Sequence, residues 1–208
     1  MGAPVLQVQG LHFAFPGEPA LFDGWSATLG AGLHGLVGES GSGKTTLLRL
    51  LAGELPCTGQ RRLNELDAEA DPAAWRAAVC FVDARDEAFD RLTPADLMAA
   101  VRQRHPQLDE AAWQRHLEGF GMAPHGFKTL HMLSTGMRRK AALAAVLASG
   151  AALTLLDEPT AGLDAPSVDY LVQVLTAAAQ QPRCATLMVC GTWPPGLPRR
   201  SEIELPMR

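Results

Sequence analysis

Gly38-Glu39-Ser40-Gly41-Ser42-Gly43-Lys44-Thr45 separates a short apolar run, Leu33 to Val37, from a helix-patterned stretch, Thr45 to Ala52. It matches G-x-x-x-x-G-K-[ST] in full, and a run of this kind belongs to a strand, loop and helix in that order. The physical need is for several backbone N–H groups to point inward at phosphate oxygens, in conformations that only glycine adopts cheaply. The following helix then brings the positive end of its dipole to the anion. Lys44 supplies a point charge for the β- and γ-phosphates, and the Thr45 hydroxyl a ligand for Mg²⁺, with Thr46 beside it in the first turn. Read alone, the loop identifies a nucleotide binder and says little about which nucleotide.

A second constraint is Leu153-Thr154-Leu155-Leu156-Asp157-Glu158, an apolar strand that ends in two carboxylates. In an open α/β sheet, ligands bind at the C-terminal ends of the strands, the edge from which the phosphate loop also departs. Asp157 is then expected to face Mg²⁺ through water, and Glu158 to orient and partly deprotonate an attacking water. The continuation Pro159-Thr160, followed by Gly162-Leu163-Asp164, argues against an ordinary acidic surface turn.

Further strands are expected at Val5 to Phe15, Leu21 to Leu29, within Gly59 to Leu66, at Val79 to Val82 and at Ala185 to Val189, with an edge strand at Ile203 to Leu205. Helices are expected at Pro72 to Ala78, Gly136 to Ala148 and Val168 to Ala179, with helical spacing throughout Thr93 to Phe120. Thr93-Pro94 reads as a cap followed by proline at the first helical position. Strands alternating with helices predict an α/β fold: a P-loop NTPase core with a mostly parallel sheet, an N-terminal antiparallel β portion and an inserted helical subdomain. The expected organisation is one domain, residues 1–208, with the core at about 1–84 and 145–208 and the helical subdomain at about 85–144.

Composition narrows the partners. A net charge of -4 gives no basic footprint, so nucleic acid is not expected. Cys57, Cys80, Cys184 and Cys190 lack C-x-x-C spacing and read as reduced thiols. No signal-peptide pattern opens the chain, and Leu6 breaks the myristoylation pattern that Gly2 would begin. Ala141 to Leu156, the most apolar stretch, falls short of the ~20 residues of a bilayer span. The chain is thus expected in the cytoplasm, and if it acts at a membrane, another chain must cross it.

Leu133-Ser134-Thr135-Gly136-Met137, followed by Arg138-Arg139-Lys140, resembles the LSGGQ signature of ABC transporter ATPase domains, and Gly162-Leu163-Asp164 resembles their D-loop. The resemblance covers nearly the whole chain. It implies ATP and Mg²⁺ as cofactors, two ATPase subunits, expected as a homodimer, sandwiching two nucleotides head to tail, and attachment to the cytoplasmic face of the membrane through a spanning partner. Ser134 and Gly136 would reach the γ-phosphate held by the other subunit. Phe15 would stack on adenine, although a core role at its strand end is an alternative. The compact size resembles small exporters such as those for haem in cytochrome c maturation; about seventeen residues follow Gly191.

Two departures stand out. The family's Gln after Val79-Cys80-Phe81-Val82 is missing, with Asp83-Ala84-Arg85 in its place and Ala84 the nearest equivalent. Asp83 could serve as the ligand or as a solvated loop carboxylate. The family's switch His is replaced by Gly191; His131 is read as a surface or packing residue. Losing one preorganised contact costs ~10²–10³ in turnover, so slow hydrolysis is expected. The competing expectations are a nucleotide-sensing module with negligible turnover and a soluble ABC-type ATPase of translation or DNA repair.

Overall fold

The structure, a computed structural model, describes residues 3–205; the unfulfilled acylation pattern at Gly2 lies outside them. Two sheets organise the chain. The first is antiparallel and contains β1 (Leu6–Ala14), β2 (Ala20–Leu29), β4 (Thr58–Leu63) and β5 (Leu66–Asp67), in the order β2-β1-β4-β5. The second contains β3 (Gly32–Val37), β6 (Val79–Cys80), β7 (Leu153–Asp157), β8 (Ala185–Val189) and β9 (Ser201–Glu204), in the order β6-β7-β8-β3-β9. All its neighbours pair in parallel. The expected α/β architecture, with an antiparallel N-terminal portion and a parallel core, is the one observed.

The central strands are apolar because both faces are covered. Along β7, Leu153 and Leu155 pack into the core on the side of α1 (Lys44–Leu51), whereas Leu156 packs on the side of α5 (Thr135–Leu147). β8 divides likewise, Leu187 and Val189 to one side and Met188 to the other. α1 buries Leu47, Leu48, Leu50 and Leu51 completely between the two sheets. Fully burying a leucine contributes ~1.5–3 kcal/mol, so these four anchor the phosphate loop to the core. Trp75, on α2 (Pro72–Ala78), closes the same core and donates its indole N–H to the Leu51 carbonyl at 2.8 Å.

Local chemistry corrects several expected boundaries. The stretch Thr93 to Phe120 is two helices, α3 (Pro94–Arg104) and α4 (Glu110–Gly119). Pro106 lacks an N–H and disfavours helical geometry in the preceding residue, and Asp109 recaps the chain by accepting from the Ala112 N–H at 3.1 Å. The strand expected within Gly59 to Leu66 turns at Asn64, whose φ is 53°, to give β4 and β5. α6 (Ala165–Ala178) starts earlier than its apolar pattern indicated, because Asp164 caps it through the Ser167 N–H at 3.2 Å. Among the described residues no helix is long and apolar enough to cross a membrane.

Candidate functional site

β3 runs straight into the glycine-rich loop, and α1 begins at Lys44 without a side-chain cap. The residue before it is Gly43, at φ 92°, with nothing to return to the first-turn amides. Those N–H groups are left for an external acceptor. Lys44 folds back across the loop, its Nζ donating to the carbonyls of Gly38 at 2.8 Å and Glu39 at 2.6 Å. Ser42 Oγ is buried without a hydrogen-bond partner among the described residues, which ordinarily costs ~1–3 kcal/mol. A Cβ at Gly38 would lie 2.7 Å from that oxygen, so the loop is closed to a larger residue there. Unclaimed amides, a cation and an orphaned hydroxyl around one loop fit a polyphosphate.

The two acids lie at the same edge. Asp157, whose side chain is 7% exposed, accepts from Thr45 Oγ1 at 2.8 Å. A hydroxyl and a carboxylate side by side are the hard oxygen donors that suit Mg²⁺. Glu158 adopts φ 48°, a left-handed conformation that costs a non-glycine residue ~1–3 kcal/mol. It is held there from two sides. Its N–H donates to the Val189 carbonyl at 2.9 Å, and its carboxylate accepts from the Gly191 N–H at 3.1 Å. Gly191, where the sequence resemblance implies a histidine, therefore contributes a backbone donor that aims Glu158.

A cavity of about 620 Å³ joins these groups. Gly38, Ser40, Gly41, Gly43, Lys44, Thr45 and Thr46 line it together with Asp157, Glu158 and Gly191. Glu39 contributes its carbonyl to Lys44, and Ser42 its buried hydroxyl to the loop interior.

Arg85 also lines this cavity. In the sequence it stands only as the residue after Ala84, with no pattern of its own. Its Nη2 donates to Asp157 Oδ2 at 2.5 Å, the oxygen that also accepts from Thr45. Its Nε donates to Asp83 Oδ1 at 3.0 Å, while Arg49 Nη2 donates to Asp83 Oδ2 at 3.1 Å. Burial pushes the Asp83 carboxyl up, but the side-chain and backbone donors of Arg85, its charge and the Arg49 donor outweigh burial and hold it below the usual range. Asp83 is thus a paired carboxylate between two guanidinium groups, not a solvated one. Chain order carries no signal for Arg85: β6 pairs directly with β7, so whatever follows β6 lies beside Asp157 at the ligand edge, and only the fold shows it.

Other expected residues stand apart from the cavity. Phe15 is 45% exposed beyond β1 and meets Phe13 edge to face at 4.9 Å. Ser134 caps α5, accepting from the Met137 N–H at 3.3 Å. Gly136 has a packing reason within this chain, since a Cβ there would collide with the Gly162 carbonyl. Arg139 Nη1 donates to the Ala161 carbonyl and Lys140 Nζ pairs with Asp164 Oδ2 at 3.0 Å, so α5 grips the segment after Glu158 at successive points. Burial pushes the Arg139 guanidinium down from its ordinary range. His131 Nδ1 lies 3.1 Å from the Asp90 carbonyl on the exposed turn before the signature.

Comparison with known proteins gives consistent results. Residues 23–161 match the family model described as ABC transporter. The chain is 36% identical over 188 residues to the nickel import ATP-binding protein NikO of Rhodobacter capsulatus, covering 83% of this chain and 72% of that one. It is 33% identical over 168 residues to the cytochrome c biogenesis ATP-binding export protein CcmA of Dechloromonas aromatica, covering 79% and 82% of the two chains. A solved ATP-binding subunit of an ABC transporter superposes with a TM-score of 0.77 at 18% identity, over 90% of this chain and 80% of that one, a likeness of fold.

Proposed function

The chain belongs to the ABC transporter family, whose ATPase domains bind and hydrolyse ATP and pair with a membrane partner, and we propose that this one is a transporter's ATP-hydrolysing subunit. Two copies would close head to tail around two Mg-ATP, and hydrolysis would reopen them to drive a separate membrane-spanning subunit. One observation carries the reading: Lys44, Thr45, Asp157 and Glu158 converge on a single cavity whose loop has unclaimed donors.

The residues divide the work. The loop amides and Lys44 hold the triphosphate, and the glycines keep the backbone close to it. Thr45 and Asp157 would hold Mg²⁺, which supplies charge for the β- and γ-phosphate oxygens. Glu158, fixed by the Gly191 amide, accepts a proton from the attacking water. Ser134 and Gly136, at the start of α5, would meet the nucleotide of the second subunit, and the exposed Phe15 ring is available to stack on adenine. One similar relative is named for import and another for export, so we assign selectivity and direction to the spanning partner.

The test is binding. Lys44→Ala removes two or more charge-assisted hydrogen bonds, each worth ~1.5–3 kcal/mol, so Mg-ATP affinity should fall by roughly 10²–10⁴-fold in equilibrium dialysis. Equal affinity in the variant and the unaltered chain would sink the assignment. Ala84 and Gly191 favour a second reading, a nucleotide-dependent switch with little hydrolysis; tight ATP binding with no phosphate release would select it.

A further inference from the structure

We infer that Arg85 is a resident cation of this site, occupying the metal's side of Asp157 and competing with Mg²⁺ for it. This rests on the reading of the cavity as a Mg-ATP site. Asp157 Oδ2 accepts from both Thr45 Oγ1 at 2.8 Å and Arg85 Nη2 at 2.5 Å. The hydroxyl and the carboxylate are the pair that would hold Mg²⁺, and the guanidinium is bonded to the same carboxylate oxygen. Mg²⁺ demands near-ideal oxygen coordination at about 2.0–2.1 Å and repels a neighbouring cation. A guanidinium on that oxygen therefore raises the cost of bringing the metal to its side, directly or through a water.

The surroundings make the exchange local. Arg85 is anchored through Nε to Asp83, which Arg49 pairs from its other oxygen, so four alternating charges run Arg49, Asp83, Arg85, Asp157. The Asp83 and Asp157 side chains are 10% and 7% exposed, whereas the Arg85 side chain is 54% exposed. The acids are therefore fixed, and the arginine has room to move. On release from Asp157 the guanidinium stays tethered by Asp83 at the wall of the phosphate cavity. It thus neutralises Asp157 before the metal arrives, and afterwards leaves a positive group facing the bound anion. A residue with both tasks raises the Mg²⁺ concentration at which the metal half-fills its place and strengthens the binding of ATP that arrives without it.

The experiment is a Mg²⁺ titration of ATP binding by equilibrium dialysis on the full chain, with one arm in EDTA. In Arg85→Ala the half-saturating Mg²⁺ concentration should fall about tenfold, the scale of one charge-assisted hydrogen bond, and the affinity for metal-free ATP should weaken. Arg85→Gln, which keeps a hydrogen-bonding side chain without the charge, should give the same shift and decides the matter if the alanine variant does not fold. Unchanged Mg²⁺ midpoints in the folded variants overturn the inference while leaving the ATP site intact. Failure of the unaltered chain to bind ATP at any Mg²⁺ concentration overturns the site assignment itself.

Discussion

Two helices here carry glycine at or just before their first turn, and they start differently. α1 follows Gly43 and has no cap, whereas α5 follows Ser134, whose hydroxyl accepts from its own first turn. Around α1 the glycines open the backbone to a cavity; at α5 Gly136 is committed to Gly162. The same residue types thus serve opposite states. An uncapped end has all its first-turn donors spare and is ready for an anion, while a capped end has one of them already taken by its own side chain. This fits one turn that grips nucleotide alone and another that acts only when a second subunit arrives.

The sharpest way to break the contrast is at the carboxylate served by the α1 side. Glu158→Gln should lower phosphate release by roughly 10²–10⁴-fold, and equal rates would remove Glu158 from the chemistry. A gain of function sharpens it next. A Cβ at Gly191 would meet only the Glu158 oxygens, at 3.8 and 3.9 Å, so a side chain is accommodated. Gly191→His should raise turnover by up to ~10²-fold, the inverse of losing one preorganised contact; no gain would mean that the backbone donor already suffices.

Smaller effects belong to α5. Gly136→Ala forces the helix off the Gly162 carbonyl and should destabilise the chain by about 1–3 kcal/mol, visible as a lower melting temperature. Wild-type melting would show that the close approach is dispensable. Ser134→Ala removes one cap, about 1 kcal/mol, and should lower the melting temperature by roughly 2–4 °C. A fall larger than that for Gly136→Ala would reverse the order of the two and identify the cap as the main tie.

Much of this was legible where the chemistry is contiguous in the chain. The loop from Gly38 to Thr45 and the strand ending at Asp157-Glu158 carry their own spacing, and their common edge follows from parallel strands. Arg85 was not legible in the same way. Its importance comes from β6 lying beside β7, an adjacency that chain order does not state. Gly136 reads as an anion contact by pattern, and only the fold reveals Gly162 against it. The break at Pro106 was legible in principle, but helical spacing on both sides hid it. Gly191 reads as a loss by its side chain, while the backbone N–H, common to almost every residue, carries no signature.

The grip of α5 on the chain after Glu158 has a mechanical consequence. Arg139 and Lys140 pin Ala161 and Asp164, and Gly136 lies close against Gly162 between them, a few residues beyond the carboxylate. A strut fastened so closely has little slack, and a slide or roll of the helix travels down the short tether instead of dissipating. A displacement of α5 would therefore be felt first in the chain just beyond Glu158.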